Sequence, residues 1–160
     1  MEKLRLYLDT TVWNFAFADD APEHKAETLE FFQKVRLGLF EIFYSEAVAE
    51  EVEAAPALRR HLIGKLLREI GPQKLEPRLE IQILAGEYLK RGVLPKRSHA
   101  DALHVAYSTI YEMDALVSWN FRHLANVNRR NRVMVLNLEK GYNFPIQLVT
   151  PLGVLGDEKD

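Results

Sequence analysis

Four short apolar runs, LRLYLD (residues 4–9), LFEIFYS (39–45), ALVSW (115–119) and IQLVT (146–150), alternate with longer segments whose apolar residues recur at helical spacing. Parallel strands need a crossover between them, and a helix is the usual one, so this alternation predicts a mostly parallel sheet with helices on both faces. ALVSW, bounded by Asp114 and Asn120, has the unbroken apolar character of a strand buried on both sides. Ligands of open sheets bind beyond the carboxyl ends of the strands, so the polar residues that follow the runs are the first candidates for chemistry.

The helical segments have readable ends. The Thr10-Thr11 pair can cap a helix over VWNFAFA; a second helix is predicted over 23–37, with Gly38 as its stop. Ser45 opens a helix through Val52 that ends before Pro56. Further helices are predicted over 57–70, over 77–91, and from Ser98 to about Glu112. The stretch 121–141 carries both signals: Val133, Val135 and Leu136 suit a strand, while Val127, Met134 and Leu138 suit a helix, and the Lys140-Gly141 terminus favours the helix. Repeats, low-complexity tracts and linkers are absent, so the expectation is one domain over 1–155 with a solvated tail at 156–160.

Composition narrows function less than fold. The chain has 160 residues, is 48% hydrophobic and has no cysteine, which removes disulfides, thiolate metal sites and Cys nucleophiles. No signal-peptide order and no apolar run of membrane-spanning length is present, so the protein is expected to be soluble and cytoplasmic, with no membrane partner. Lys plus Arg number 21 against 23 acids, a formal charge of −2, so any binding of nucleic acid must use a local patch.

Four polar stations, Asp9, Glu51, Asp101 and Asn120, fall near strand ends or helix starts that would face one rim of the sheet. Each also has a plainer reading. Asp9 can serve simply as a helix cap, and Ser98 with Asp101 fits a capping box. Glu51 stands among Glu46, Glu50 and Glu53, a run typical of a solvated face, although it flanks the apolar stripe of Val48 and Val52.

LDTTVWNF, SEAVAEEV, DALHVAYS and LVSWNFRHLAN, in this order and from Leu4 to about Leu155, resemble the PIN-domain family, in particular the branch that includes VapC-type toxins. The resemblance implies a three-layer α/β/α fold, Mg²⁺- or Mn²⁺-dependent cleavage of RNA, and a site built from Asp9, Glu51 and Asp101. It also implies a homodimer and an antitoxin partner. The familiar T-R-D segment of the family is replaced here by Ser118-Trp119-Asn120.

The chemistry is coherent. Carboxylates held 4 Å apart repel by roughly 4 kcal/mol at an effective dielectric near 20, and a divalent cation removes that penalty. An all-oxygen donor set suits Mg²⁺ or Mn²⁺, and such an ion can polarise a phosphoryl oxygen and acidify a water for in-line attack. With Asn120 neutral, one ion is expected to bind tightly and a second only with help from substrate phosphate. Thr10, Thr11 and Ser118 are candidates for hydrogen bonds to ligands or phosphate. His104, three residues after Asp101, is a candidate to support the site or face phosphate, beside the plainer reading of a satisfied core histidine; no H-E-x-x-H pair suggests zinc. Arg122, Arg129, Arg130 and Arg132 form the densest basic segment near the site and are the candidate RNA contacts, beside a reading as a solvated helix face. Trp13, Phe15 and Phe17 read as core. The rival function is a PIN-like module with weakened catalysis that binds RNA or protein. A nucleotide-binding fold is disfavoured because no Gly-rich loop follows the first strand.

Overall fold

The computed structural model describes residues 2–120 and 126–156. Its element order is β1 (Leu4–Leu8), α1 (Thr10–Phe15), α2 (Pro22–Arg36), β2 (Phe40–Tyr44), α3 (Glu46–Glu53), α4 (Ala57–Ile70), β3 (Gln73–Lys74), α5 (Leu79–Lys90), α6 (His99–Ile110), β4 (Ala115–Val117), α7 (Val127–Glu139), β5 (Gln147–Val149) and α8 (Pro151–Leu155). The five strands pair in the order β3-β2-β1-β4-β5, all parallel, and flanking helices make a three-layer α/β/α arrangement.

The strand order places the site. From β1 the chain moves outward to β2 and β3, then returns to lay β4 on the other side of β1 and continue to β5. The reversal therefore lies between β1 and β4, where crossovers leave in opposite directions and open a crevice. Asp9 follows β1 and Ser118 follows β4, and Asp9 N donates to Val117 O at 3.1 Å across that crevice.

Burial explains why these segments hold their places. In β1, Leu6, Tyr7 and Leu8 are at most 1% exposed, and in β4 all three residues are buried. Trp13 on α1 and Phe31 and Phe32 on α2 are fully covered, each such side chain contributing on the order of 1.5–3 kcal/mol by leaving water. Phe15 and Phe17 pack only partly against the core.

Several expected boundaries move. The first helix begins at Thr10, two residues earlier than the VWNFAFA reading, because Asp9 caps it in place of the Thr-Thr pair. The Ser98–Asp101 capping box does not form: the Ser98 side chain makes no cap bond, and its N–H donates to Pro95 O at 2.8 Å. β3, a polar dipeptide, and α8, started by Pro151 and capped by Thr150, were not legible in the sequence.

α7 is helical as its terminus implied, yet Val127, Met134 and Leu138 face outward while Val133, Leu136 and Asn137 are buried. The buried face is fixed by a polar group. Asn137 Oδ1 accepts from the Tyr88 hydroxyl, and its Nδ2 donates to Thr109 Oγ1 at 3.1 Å, joining α5, α6 and α7. Gly38 and Gly71, at φ of 76° and 64°, end α2 and α4 as expected.

Candidate active site

His104 is the hub of the crevice. It lies on α6, is 1% exposed, and has both ring nitrogens engaged: Nδ1 is 2.7 Å from the Tyr7 hydroxyl and Nε2 is 2.8 Å from Glu51 Oε1. The Tyr7 hydroxyl is 2.6 Å from Ser45 Oγ, which in turn accepts from Ala47 N as the N-cap of α3. A protonated His104 can thus donate to Tyr7, with Tyr7 donating onward to Ser45, so no buried polar atom of this chain of contacts is stranded.

Tyr7 has a signal in the sequence. It stands two residues before Asp9, and residues two apart on a strand project to the same face.

Glu51 projects from α3 toward this hub, where Oε1 also accepts from Thr10 Oγ1 at 2.5 Å. Glu50 and Glu51 are both exposed, and what sets Glu51 apart is that its Oε1 meets His104 and Thr10. Asp9, 1% exposed, accepts at Oδ1 from Thr11 N at 3.0 Å and from the Thr11 hydroxyl. The helix-cap reading of Asp9 is therefore realised by this carboxylate.

On the β4 side, Ser118 is buried, and its hydroxyl lies 3.5 Å from that of Thr11, the group that donates to Asp9. Ser118 Oγ accepts from Asn120 N at 2.9 Å, and Trp119 N donates to Thr11 Oγ1 at 2.9 Å. Asn120 Nδ2 donates to Asp101 Oδ2 at 2.9 Å. Ser118, Trp119 and Asn120 therefore connect the Asp9 side of the crevice to the Asp101 side, with the Asn120 amide covering a carboxylate where a fourth acid would have repelled it.

Electrostatics tie the stations together. Burial alone would lower the His104 pKa, but the Glu51 hydrogen bond and the charges of Asp9, Glu51 and Asp101 outweigh it and hold the imidazole above its ordinary value. Burial pushes the Asp9 carboxyl up, opposed incompletely by His104, Ser118 and Thr11, and the Asp101 charge raises it further. Burial would also raise Glu51, but His104 and Thr10 overcome this and hold its carboxyl below the usual range. Tyr7, fully buried, stays a neutral phenol because burial lifts its pKa well above the ordinary value.

Among the described residues, no group of three or more His, Asp or Glu side chains is placed to hold one ion directly. The donor set still fits Mg²⁺ or Mn²⁺. Such ions are commonly held by one or two carboxylates plus waters and substrate phosphate. The charge of Asp101 is felt at Asp9, where it raises the carboxyl's pKa. Glu51 is the third acid of the crevice and is committed here to His104 and Thr10.

The basic segment lies differently. Arg129 donates to Val93 O at 2.7 Å, Arg130 to Leu148 O at 3.3 Å and Arg132 to Gly92 O at 3.1 Å, so each guanidinium braces backbone with one N–H group. Arg122 lies outside the described residues, as do His123 and the tail from residue 157 onward.

No family model matches the sequence, and no curated protein matches it. Among solved structures, the fold matches a chain in the crystal structure of VapBC2 from Rickettsia felis bound to a DNA fragment from their promoter. The TM-score is 0.52 at 14% identity, over 91% of this chain and 98% of that one. At that identity the likeness concerns the fold, which is the PIN-like three-layer arrangement with a mostly parallel central sheet.

Proposed function

We propose that the chain is a divalent-metal-dependent endoribonuclease, with Asp9 and Asp101 as the direct carboxylate ligands of Mg²⁺ or Mn²⁺. The observation that carries this reading is the meeting of Asp9, Glu51, Asp101 and Asn120, remote in sequence, around His104 at the crevice between β1 and β4. When bound, the ion supplies Lewis-acid polarisation of a phosphoryl oxygen and a water acidic enough to attack it.

The chain's own groups have separable tasks. Asp9 and Asp101 supply charge that draws the ion in. Asn120 holds Asp101 through Nδ2, and Thr11 holds Asp9. Glu51, fixed by His104 and Thr10, is the third acid, able to receive a proton from the attacking water or to join the ion once those bonds are exchanged. His104 and Tyr7 position Glu51 from beneath.

RNA as substrate is supported by the motif resemblance, as are an antitoxin partner and a homodimer. Arg129, Arg130 and Arg132 keep N–H groups beyond those given to carbonyls, and with Arg122 they are the proposed phosphate contacts. The fold shared with a chain of VapBC2 agrees with the toxin reading.

A cleavage assay on single-stranded RNA with Mn²⁺, comparing the parent chain with Asp9→Asn and Asp101→Asn, tests the proposal. Metal-dependent cleavage lost in both variants supports it. RNA that is bound but never cut by the parent favours the second reading, a PIN-like binding module. The observation behind that alternative is that every acid of the crevice already has a protein donor.

A further inference from the structure

The Ser118-Trp119-Asn120 segment crosses from one proposed ligand to the other, and what holds its middle residue lies far from both in sequence. The Trp119 indole is 6% exposed, and its Nε1 donates to Thr28 Oγ1 on α2 at 2.8 Å. Thr28, 0% exposed, donates its own hydroxyl proton to His24 O at 2.6 Å, so this hydroxyl has one direction fixed and is left oriented to accept from the indole. The His24 ring stacks on Trp119, with centroids 4.4 Å apart at 29°, and Phe15 closes the other edges at 5.5 Å from His24 and 6.2 Å from Trp119.

From this clamp two routes reach the carboxylates. One runs through Trp119 N to Thr11 Oγ1 and on to Asp9 Oδ1. The other runs through Asn120 N to Ser118 Oγ, with Asn120 Nδ2 on Asp101.

We infer that Thr28 and His24 are positioning residues: by fixing the Trp119 indole they hold Thr11 against Asp9 and Asn120 against Asp101, and so set the separation of the two carboxylates. The inference rests on reading Asp9 and Asp101 as metal ligands, but its geometric part stands without any ion. Both residues lie on α2, outside every motif of the site. The requirement is for a small side chain with a hydroxyl at 28 and a flat ring at 24. A Val at 28 keeps the volume and strands the indole N–H; a Ser keeps the hydroxyl.

The test uses the full chain, first metal-free, as Thr28→Val, Thr28→Ser and the parent. The side-chain amide pair of Asn120, assigned in ¹⁵N–¹H spectra by its loss in Asn120→Ala, reports the bond to Asp101. Thr28→Val should shift this pair toward a solvent-exposed amide and weaken Mn²⁺ binding, measured by calorimetry, by about 10-fold, the low end of the range for groups bonded directly to a metal ligand, because Thr28 acts through Trp119 and Thr11. Thr28→Ser should restore both. On RNA, Thr28→Val should lower kcat and leave KM near the parent value.

A Thr28→Val chain that melts lower but keeps the parent Asn120 signals and Mn²⁺ affinity overturns the inference, reducing Thr28 to a core residue. Should Thr28→Val fail to fold, Trp119→Phe, which removes the indole N–H and shrinks the ring stacked on His24, decides by the same readouts. A parent chain that binds no Mn²⁺ defeats the metal-site reading alone, since the Asn120 signals still answer for the clamp.

Discussion

Nε2 of His104 lies 2.8 Å from Oε1 of Glu51, fifty-three positions apart in sequence, and this contact turns a helix-surface glutamate into a member of the crevice. The opposite face of the same ring, through Nδ1 and Tyr7, reaches the floor of the sheet. Truncating His104 therefore takes one partner from each of two groups, a buried phenol left with Ser45 and a partly exposed carboxylate left with Thr10.

His104→Ala should cost on the order of 2–4 kcal/mol of folding stability, the size expected when a buried polar network loses its central member. A double-mutant cycle with Glu51→Gln should give a coupling of about 1–3 kcal/mol. Urea unfolding of the four chains measures both, and additive losses would dissolve the claimed link.

The raised pKa of His104 gives a sign for pH dependence in the metal-free chain. A group that binds its proton more tightly folded than unfolded stabilises fully below its unfolded pKa, about 6.5 for His, and loses that contribution as pH rises through its higher folded value. In EDTA, the stability of the parent relative to His104→Gln should therefore fall as pH increases above about 6.5. Parallel pH profiles for the two chains would contradict the assignment.

Asp9→Asn should separate function from folding. Asn also caps helices, and the change removes a buried charge whose pKa is raised by burial and by Asp101, so folding stability should stay within about 1 kcal/mol of the parent. Metal-dependent cleavage should meanwhile fall by at least about 100-fold, a loss typical for a group that acts on the reacting centre. Thermal melts and initial rates on one preparation give both numbers.

Asn120→Asp restores a fourth acid and exchanges the donor on Asp101 for a repelling carboxylate. The metal-free chain should lose about 1–2 kcal/mol, and the Mn²⁺ stoichiometry without RNA should rise from one toward two. Equilibrium dialysis against Mn²⁺ reads the count directly, and two tight ions on the parent would refute the role given to Asn120.

Charge reversal at Arg129 and Arg130 should weaken RNA binding and flatten the dependence of affinity on salt, since each phosphate contact contributes close to one unit of slope. Fluorescence anisotropy at several salt concentrations checks this. An unchanged slope would leave these arginines as braces of Val93 and Leu148.

The sheet was legible because four of its strands are apolar runs, and a parallel order follows from the helices between them. β3 was not, since two polar residues at an edge carry no periodic signal. Asp9 and Asp101 were legible from their places after a strand and at a helix start. Thr28 and His24 were not, because nothing within α2 distinguishes a hydroxyl that meets an indole ninety-one residues away from one that meets water. The same limit explains α7: the Lys140-Gly141 terminus announced a helix, but Asn137, a polar residue outside the apolar pattern, is what the core accepts, on account of Tyr88 and Thr109. Polar groups that are buried in order to bond one another run against the hydropathy pattern, so the pattern reveals the frame and conceals such pairs.

The central claim is that Asp9 and Asp101 share one hard cation at the crevice between β1 and β4. Calorimetric titration of Mn²⁺ into the RNA-free parent, Asp9→Asn and Asp101→Asn addresses it most directly. The account predicts a single site on the parent that is abolished in each variant; binding of equal strength in all three chains, or none in the parent, would contradict it.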